Sequence, residues 1–310
     1  MSTAFINPLA SDMRNTPQQG FSLIELMISM TISLMLILLI TQSALFSHRS
    51  FQLNNAQQEL LENGWAALHF LRQDIQQADY WGCIENRRSV YNGSHNTTYS
   101  PAFAIFGEDN TGINQSDSIR ILRVSEPPHF TDRRMQHTGS PIALRQSRIK
   151  QHHTVLITNC INGEIFTVTN VSTNQLQHGQ ASDHTGNMSD QLLHTYPMHS
   201  RVYRITGITY ELRLSNGIPA LYRKHDTDNA QALLENIEQM QILYGENTDN
   251  IPGAERFVSI HQVHDTTQIQ SVQITLNVRS SEQIQHDNNS QKVRRTFSTV
   301  IPIYNRLQHE

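Results

Sequence analysis

The chain has 310 residues, a hydrophobic fraction of 37%, only 16% charged residues, and a formal net charge of −4 with 16 histidines. Charged residues fall well below the roughly 25% of an average soluble domain, so uncharged polar groups must cover the surface. This balance excludes a globally basic nucleic-acid binder and an acidic disordered tail, and the composition excludes collagen-like, coiled-coil and disulfide-dense chains.

The first twenty residues are polar and end Pro17-Gln18-Gln19-Gly20, and residues 21–46 then read as an apolar run with Glu25 its one formal charge. About 20 apolar residues cross a bilayer core as a helix, so the run is long enough to span once. A secretory signal would place small residues at A-x-A spacing after the run. Here Gln42-Ser43-Ala44-Leu45-Phe46 follows, so the segment is expected to stay in the mature chain. Glu25 is the anomaly. A carboxylate in hydrocarbon costs about 2.5–3.5 kcal/mol on insertion scales and needs a partner.

Gly20-Phe21-Ser22-Leu23-Ile24-Glu25-Leu26 resembles the class III signal of type IV pilins and type II secretion pseudopilins. The resemblance implies that a membrane prepilin peptidase cuts between Gly20 and Phe21 and methylates Phe21 as the new N-terminus. It also gives Glu25 the place of the family glutamate, which meets the terminal amine of a neighbouring subunit. Family leaders are basic just before the glycine, where this chain has Gln18-Gln19.

From 52 to 78, Leu53, Ala56, Leu60, Leu61, Trp65, Leu68, Leu71, Ile75 and Ala78 step by three and four, while Gln57, Glu59, Glu62, Arg72, Asp74 and Gln76 stand between them. That is the stripe of an amphipathic helix. The prediction is one helix from Phe21 to about Asp79, with two helices broken around residues 48–50 as the alternative. Gly64 costs about 1 kcal/mol relative to Ala and marks a place to bend. Gly82 is expected to cap the helix, with Cys83 next to it. Cys83 and Cys160 are the two cysteines, and a disulfide between them suits an oxidising compartment. Buried free thiols or half of a metal site remain alternatives, although the absence of a CxxC spacing speaks against zinc.

Beyond the helix the period changes. Strands are expected at 118–124, 154–157, 165–168, 201–214, 220–223, 269–278 and 293–303, with Asn216-Gly217 as a hairpin turn. Residues 228–244 read either as a short helix or as a strand, and 86–117, 125–150, 172–200, 245–268 and 280–292 read as loop-like. The predicted fold class is α+β: a long N-terminal helix, transmembrane then amphipathic, packed on an antiparallel β-sheet head with long loops, which is pilin-like. The expected divisions are a cytoplasmic leader (1–20), a transmembrane helix (21–46), an amphipathic helix (47–82) and a periplasmic head (83–310).

Tyr80-Trp81-Gly82-Cys83, Asn159-Cys160, the segment from Glu235 to Gly245 and the strand ending Val278-Arg279-Ser280 look like the PilW-type minor pilins. The resemblance implies a non-catalytic subunit that primes type IV pilus assembly, with outputs in twitching motility, adhesion and DNA uptake. It implies the inner membrane, the prepilin peptidase, other minor and major pilins and an inner-membrane assembly platform as partners. By the same analogy the protein sits in a bacterial inner membrane with its head in the periplasm and then in the pilus. Two other readings stay open: a larger minor pseudopilin of a type II secretion system, and a membrane-anchored periplasmic enzyme or binding protein.

The sequence carries no G-x-S-x-G, P-loop, G-x-G-x-x-G or H-E-x-x-H motif. His152-His153 point to opposite faces if on a strand, and His178, His184, His194 and His199 lie in a polar stretch without ligand spacing, so exposed loop histidines are expected and no cofactor or metal. Arg133-Arg134, Arg145-Arg148-Lys150 and Lys292-Arg294-Arg295 are short and lack interleaved aromatics, so solvated faces and no direct nucleic-acid contact are expected.

Overall fold

The computed structural model describes residue 20 and residues 22–183, 185–226, 228–248, 253–286 and 289–307. Residues 1–19 of the expected leader, together with Phe21 and His184, lie outside the described residues. The chain divides into two compact units, Met1–Leu53 and Asn54–Glu310.

One α-helix, α1 (Leu23–Gln76), runs without a break through residues 48–50, where no Gly or Pro interrupts it. Up to Ile40 its large apolar side chains are exposed, and its most apolar window has a mean hydropathy of 2.5 with none of it buried. The hydroxyls on this segment close onto the helix itself: Ser29 Oγ donates to Leu26 O at 2.9 Å, Thr31 Oγ1 to Ile28 O at 2.8 Å and Thr41 Oγ1 to Ile37 O at 2.8 Å. Polar groups satisfied in this way are tolerated in lipid.

The helix stops at Gln76, earlier than its periodicity suggests. Asp79 is held in a left-handed conformation (φ 61°), and its N–H turns away to donate to Leu122 O at 3.0 Å. Gly82, the expected cap, lies in the following turn. Gly64 lies within the unbroken helix, and a Cβ there would lie 2.4 Å from the Phe297 ring, so the glycine admits close approach of a neighbouring strand.

The head contains β1 (Val90–Asn92), β2 (Ile105–Glu108), β3 (Ser118–Val124), β4 (His129–Phe130), β5 (Ile142–Ala143), β6 (Thr154–Thr158), β7 (Gly163–Thr167) and β8 (Asn170–Ser172). These are followed by β9 (Gln175–Gln177), β10 (Arg201–Ser215), β11 (Ile218–His225), β12 (Gln231–Glu235), β13 (Ile237–Glu246), β14 (Arg256–Val258), β15 (Ile269–His286), β16 (Asn289–Pro302) and a short α2 (Tyr304–Leu307). The largest sheet runs β1-β7-β6-β10-β11-β12, with β3 and β4 also on β10 and β2 on β3. All its pairs are antiparallel except β1 with β7. A four-stranded sheet runs β14-β13-β15-β16, and β5-β9-β8 form a third. Asn216 and Gly217, both at positive φ, make the two-residue turn between β10 and β11.

The ambiguous segment 228–244 resolves as strands, β12 and most of β13, separated at Asn236 (φ 66°). The expected loop at 280–292 is largely strand, because β15 and β16 extend as a polar hairpin arm. Short strands also enter the other expected loops, β1 and β2 among them.

The main core joins α1 to both larger sheets. Leu60, Leu68, Leu71 and Ile75 are buried with Ile121, Ile208, Ile242, Ile274 and Leu276. Each such side chain is worth roughly 1.5–3 kcal/mol on burial. Two expected positions on the helix exchange faces. Trp65 is 59% exposed and meets Phe297 edge-on, while Asp74 is 3% exposed. Asp74 is stable there because Arg223 pairs with it at 2.8 Å, Arg123 at 3.6 Å, and the Tyr210 hydroxyl donates to it at 2.6 Å.

Candidate functional site

The N-terminal site is built on the first turn of α1. Ser22 N–H donates to Glu25 Oε2 at 2.9 Å, so the carboxylate folds back over the orphan amides of the helix start, where the helix dipole favours negative charge. Among the described residues no cation pairs with Glu25. Exposed Leu23, Ile24, Leu26 and Met27 surround it. Gly20 is exposed, with open space around its Cα. The carboxylate therefore stands on an apolar helix, next to the expected cut, with a charge left to neutralise.

At the other end of α1 the chain is locked. Cys83 and Cys160 form a disulfide with Cα atoms 5.0 Å apart, tying the segment after the helix to the turn between β6 and β7. Beside it lies a buried cluster that sequence reading misses. Asp79 Oδ2 accepts from Arg306 Nε at 2.7 Å and Arg87 Nη1 at 2.8 Å, and its Oδ1 accepts from the Trp81 indole at 2.6 Å. Arg306 also donates to Thr266 O at 2.6 Å and Ile269 O at 2.8 Å. Burial lowers the Arg306 pKa from its ordinary value, against the pull of Asp79. One signal was available: Arg306 is a lone charge in the otherwise uncharged stretch 296–307.

The two head segments quoted above for their resemblance are neighbours in space. β13 and β15 pair from Ile237↔Val278 to Tyr244↔Val272. Glu238 on β13 joins Arg279 on β15 at 3.2 Å and Arg294 on β16 at 2.6 Å, and the Arg294 hydrogen bond is the main reason its pKa is lowered. These contacts hold a sheet together and supply no reacting group.

The histidines divide. His152, His194 and His199 are exposed and His153 is half-buried. His178 departs from the expectation of an exposed loop residue. It is buried against the edge of Phe166 with Nε2 3.1 Å from Ser140 O, because β9 feeds it into a small apolar core. Arg133, Arg134, Arg145, Arg148 and Lys150 lie exposed.

Two family models match the chain. Residues 15–41 match the prokaryotic N-terminal methylation motif, and residues 209–305 match the type IV pilus-assembly protein W family. The first contains Gly20, Phe21 and Glu25; the second runs from within β10 into α2. The two matches together support a type IV pilin-like protein of the PilW type. No curated protein and no solved structure matches it. A PilW-type protein is a structural component of the pilus-assembly machinery that associates with other pilins, and its apolar N-terminal helix points to membrane anchoring.

Proposed function

We propose that this chain is a minor pilin, made as a prepilin and matured by cleavage between Gly20 and Phe21 and methylation of Phe21. Residues 21–46 hold it in the inner membrane, the helix continues to Gln76 and turns through residues 77–82, and residues 83–310 lie in the periplasm. The mature subunit primes the type IV pilus with other minor pilins. Its extraction is driven through the inner-membrane assembly platform and not by its own chemistry. The observation that carries this reading is Glu25, a carboxylate one turn into an exposed apolar helix with no cation paired to it among the described residues. The terminal amine of Phe21 in a neighbouring subunit offsets the cost of that charge in lipid and sets the register of the two helices.

Glu25→Ala tests it. The variant makes the segment more apolar, so membrane insertion stays intact while pilus assembly falls, read as sheared surface pili against the wild-type strain. Normal piliation in that strain, with no other minor pilin able to substitute, overturns the pairing.

A further inference from the structure

Buried carboxylates in the head are mostly matched by arginine: Asp74 by Arg223, Asp79 by Arg306, Glu246 by Arg256. Glu164 on β7 is 2% exposed and has no cation partner among the described residues. Asp117 also lacks one, but each of its oxygens accepts one backbone N–H, from Asn110 and from Ile242. Glu164 differs in opening on a cavity of about 370 Å³. That is within the size range of small-ligand sites, which are apolar with a few fixed polar groups.

The cavity has a graded wall. Phe166 and Leu192 are buried at its base, whereas Tyr91, Met188 and Leu193 are 44%, 44% and 55% exposed at its edge. At the base of this apolar wall Glu164 accepts from Leu193 N–H and meets no cation among the described residues, so its negative charge is left without a counter-charge.

We infer that this cavity receives the side chain of a lysine presented by a neighbouring protein, its ammonium bound at Glu164 and its alkyl stem lying along Phe166 and Leu192. The choice of lysine over arginine follows from the carboxylate itself. Leu193 N–H lies 2.9 Å from Oε1 and 2.8 Å from Oε2, and so occupies the two-oxygen edge that a guanidinium fork would need. An ammonium is a compact charge with three rotatable donors and takes a single oxygen. The choice of a protein over a free amine follows from the exposed apolar edge, which the chain flanking the lysine covers. The inference rests on the head alone and holds whether or not the prepilin is processed.

The test uses the full chain in detergent and titrates acetyl-glycyl-lysyl-glycine amide, followed by saturation-transfer NMR. Controls replace lysine with norleucine or arginine, and pentylamine stands for the free amine. The lysine peptide should bind at least about tenfold better than each control, as a charge-assisted contact to a buried carboxylate requires. Glu164→Gln, which still accepts from Leu193 N–H, should lose that preference. Gly93→Ala is the second variant: its Cβ would sit 3.6 Å from Glu164 Oε1 in ordinary contact, narrowing the cavity without touching the charge. It too should weaken lysine binding about tenfold. Equal binding of the norleucine or arginine peptide, tighter binding of pentylamine, or undiminished lysine affinity in Gly93→Ala overturns the proposal, the last even where Glu164→Gln does not fold.

Discussion

Asp79→Asn isolates the cluster that closes the head. Asparagine adopts left-handed φ as readily as aspartate, so the 61° backbone at this position stays unstrained and only the charge is lost. Asp79 is 4% exposed and Arg306 is 6% exposed, so neither charge has water to fall back on. Removing one partner of a buried pair costs about 3–5 kcal/mol, because the remaining charge is left uncompensated. Arg87, with its side chain 27% exposed, recovers solvent and adds little. For a head of this size about 1 kcal/mol moves the midpoint by roughly 2–4 °C, so the expected drop is on the order of 10 °C. The assay is thermal and urea unfolding of the full chain in detergent, followed by tryptophan emission in a Trp65→Phe background. That removes the exposed indole and leaves Trp81, which donates to Asp79. Asp79→Asn/Arg306→Met should recover part of the loss, since an apolar replacement removes the orphaned cation. A single variant within about 1 kcal/mol of wild type would refute the reasoning.

Gly64→Ala should destabilise the head by about 1–3 kcal/mol through overpacking on Phe297, although helix propensity alone predicts a gain of about 1 kcal/mol. Phe297→Leu in the same background should relieve it, and a raised urea midpoint for the single variant would contradict the close approach. Cys83→Ser should lower stability by about 4–5 kcal/mol, the chain-entropy value for a closure 77 residues apart; two free thiols by alkylation of the unreduced wild type would contradict the bridge. Burial raises the Glu164 pKa from 4.5 to about 7 against the backbone amides of Leu193 and His194, so the native state holds the proton more tightly than the unfolded chain. The stabilisation is complete below about pH 4.5 and lost as pH rises through about 7, a fall of about 3 kcal/mol that Glu164→Gln should lack. Parallel stability profiles for the two proteins from pH 5 to 8 would contradict it.

What could be read directly from the chain was whatever local pattern decides. The 118–124 strand alternates except at Ile121-Leu122 and appears with the same bounds in β3, and Asn216-Gly217 imposes its turn whatever surrounds it. The apolar run and the residues from Gly20 to Leu26 were equally plain. Reading failed where a distant partner decides. Asp74 looks like a solvent-face residue until Arg223 and Tyr210 arrive from β11 and β10. The 280–292 segment has Ile284 as its one apolar residue, so little in its pattern distinguishes it from a loop, and pairing between β15 and β16 makes it strand. In 228–244 the apolar residues fit either period, and the left-handed Asn236 separates two strands where a helix was equally consistent. His178 and Glu164 carry no sequence signal at all; their burial follows from how β6, β7 and β9 stack.

The central claim is that Gly20-Phe21 is a processing site and Glu25 the charge that pairs in the assembled fibre. Its most direct test is the N-terminal residue of the protein recovered from membranes, by intact mass and N-terminal peptide mass spectrometry. The account predicts a chain that begins at methylated Phe21. A chain that still begins at Met1 in cells with active prepilin peptidase would contradict it.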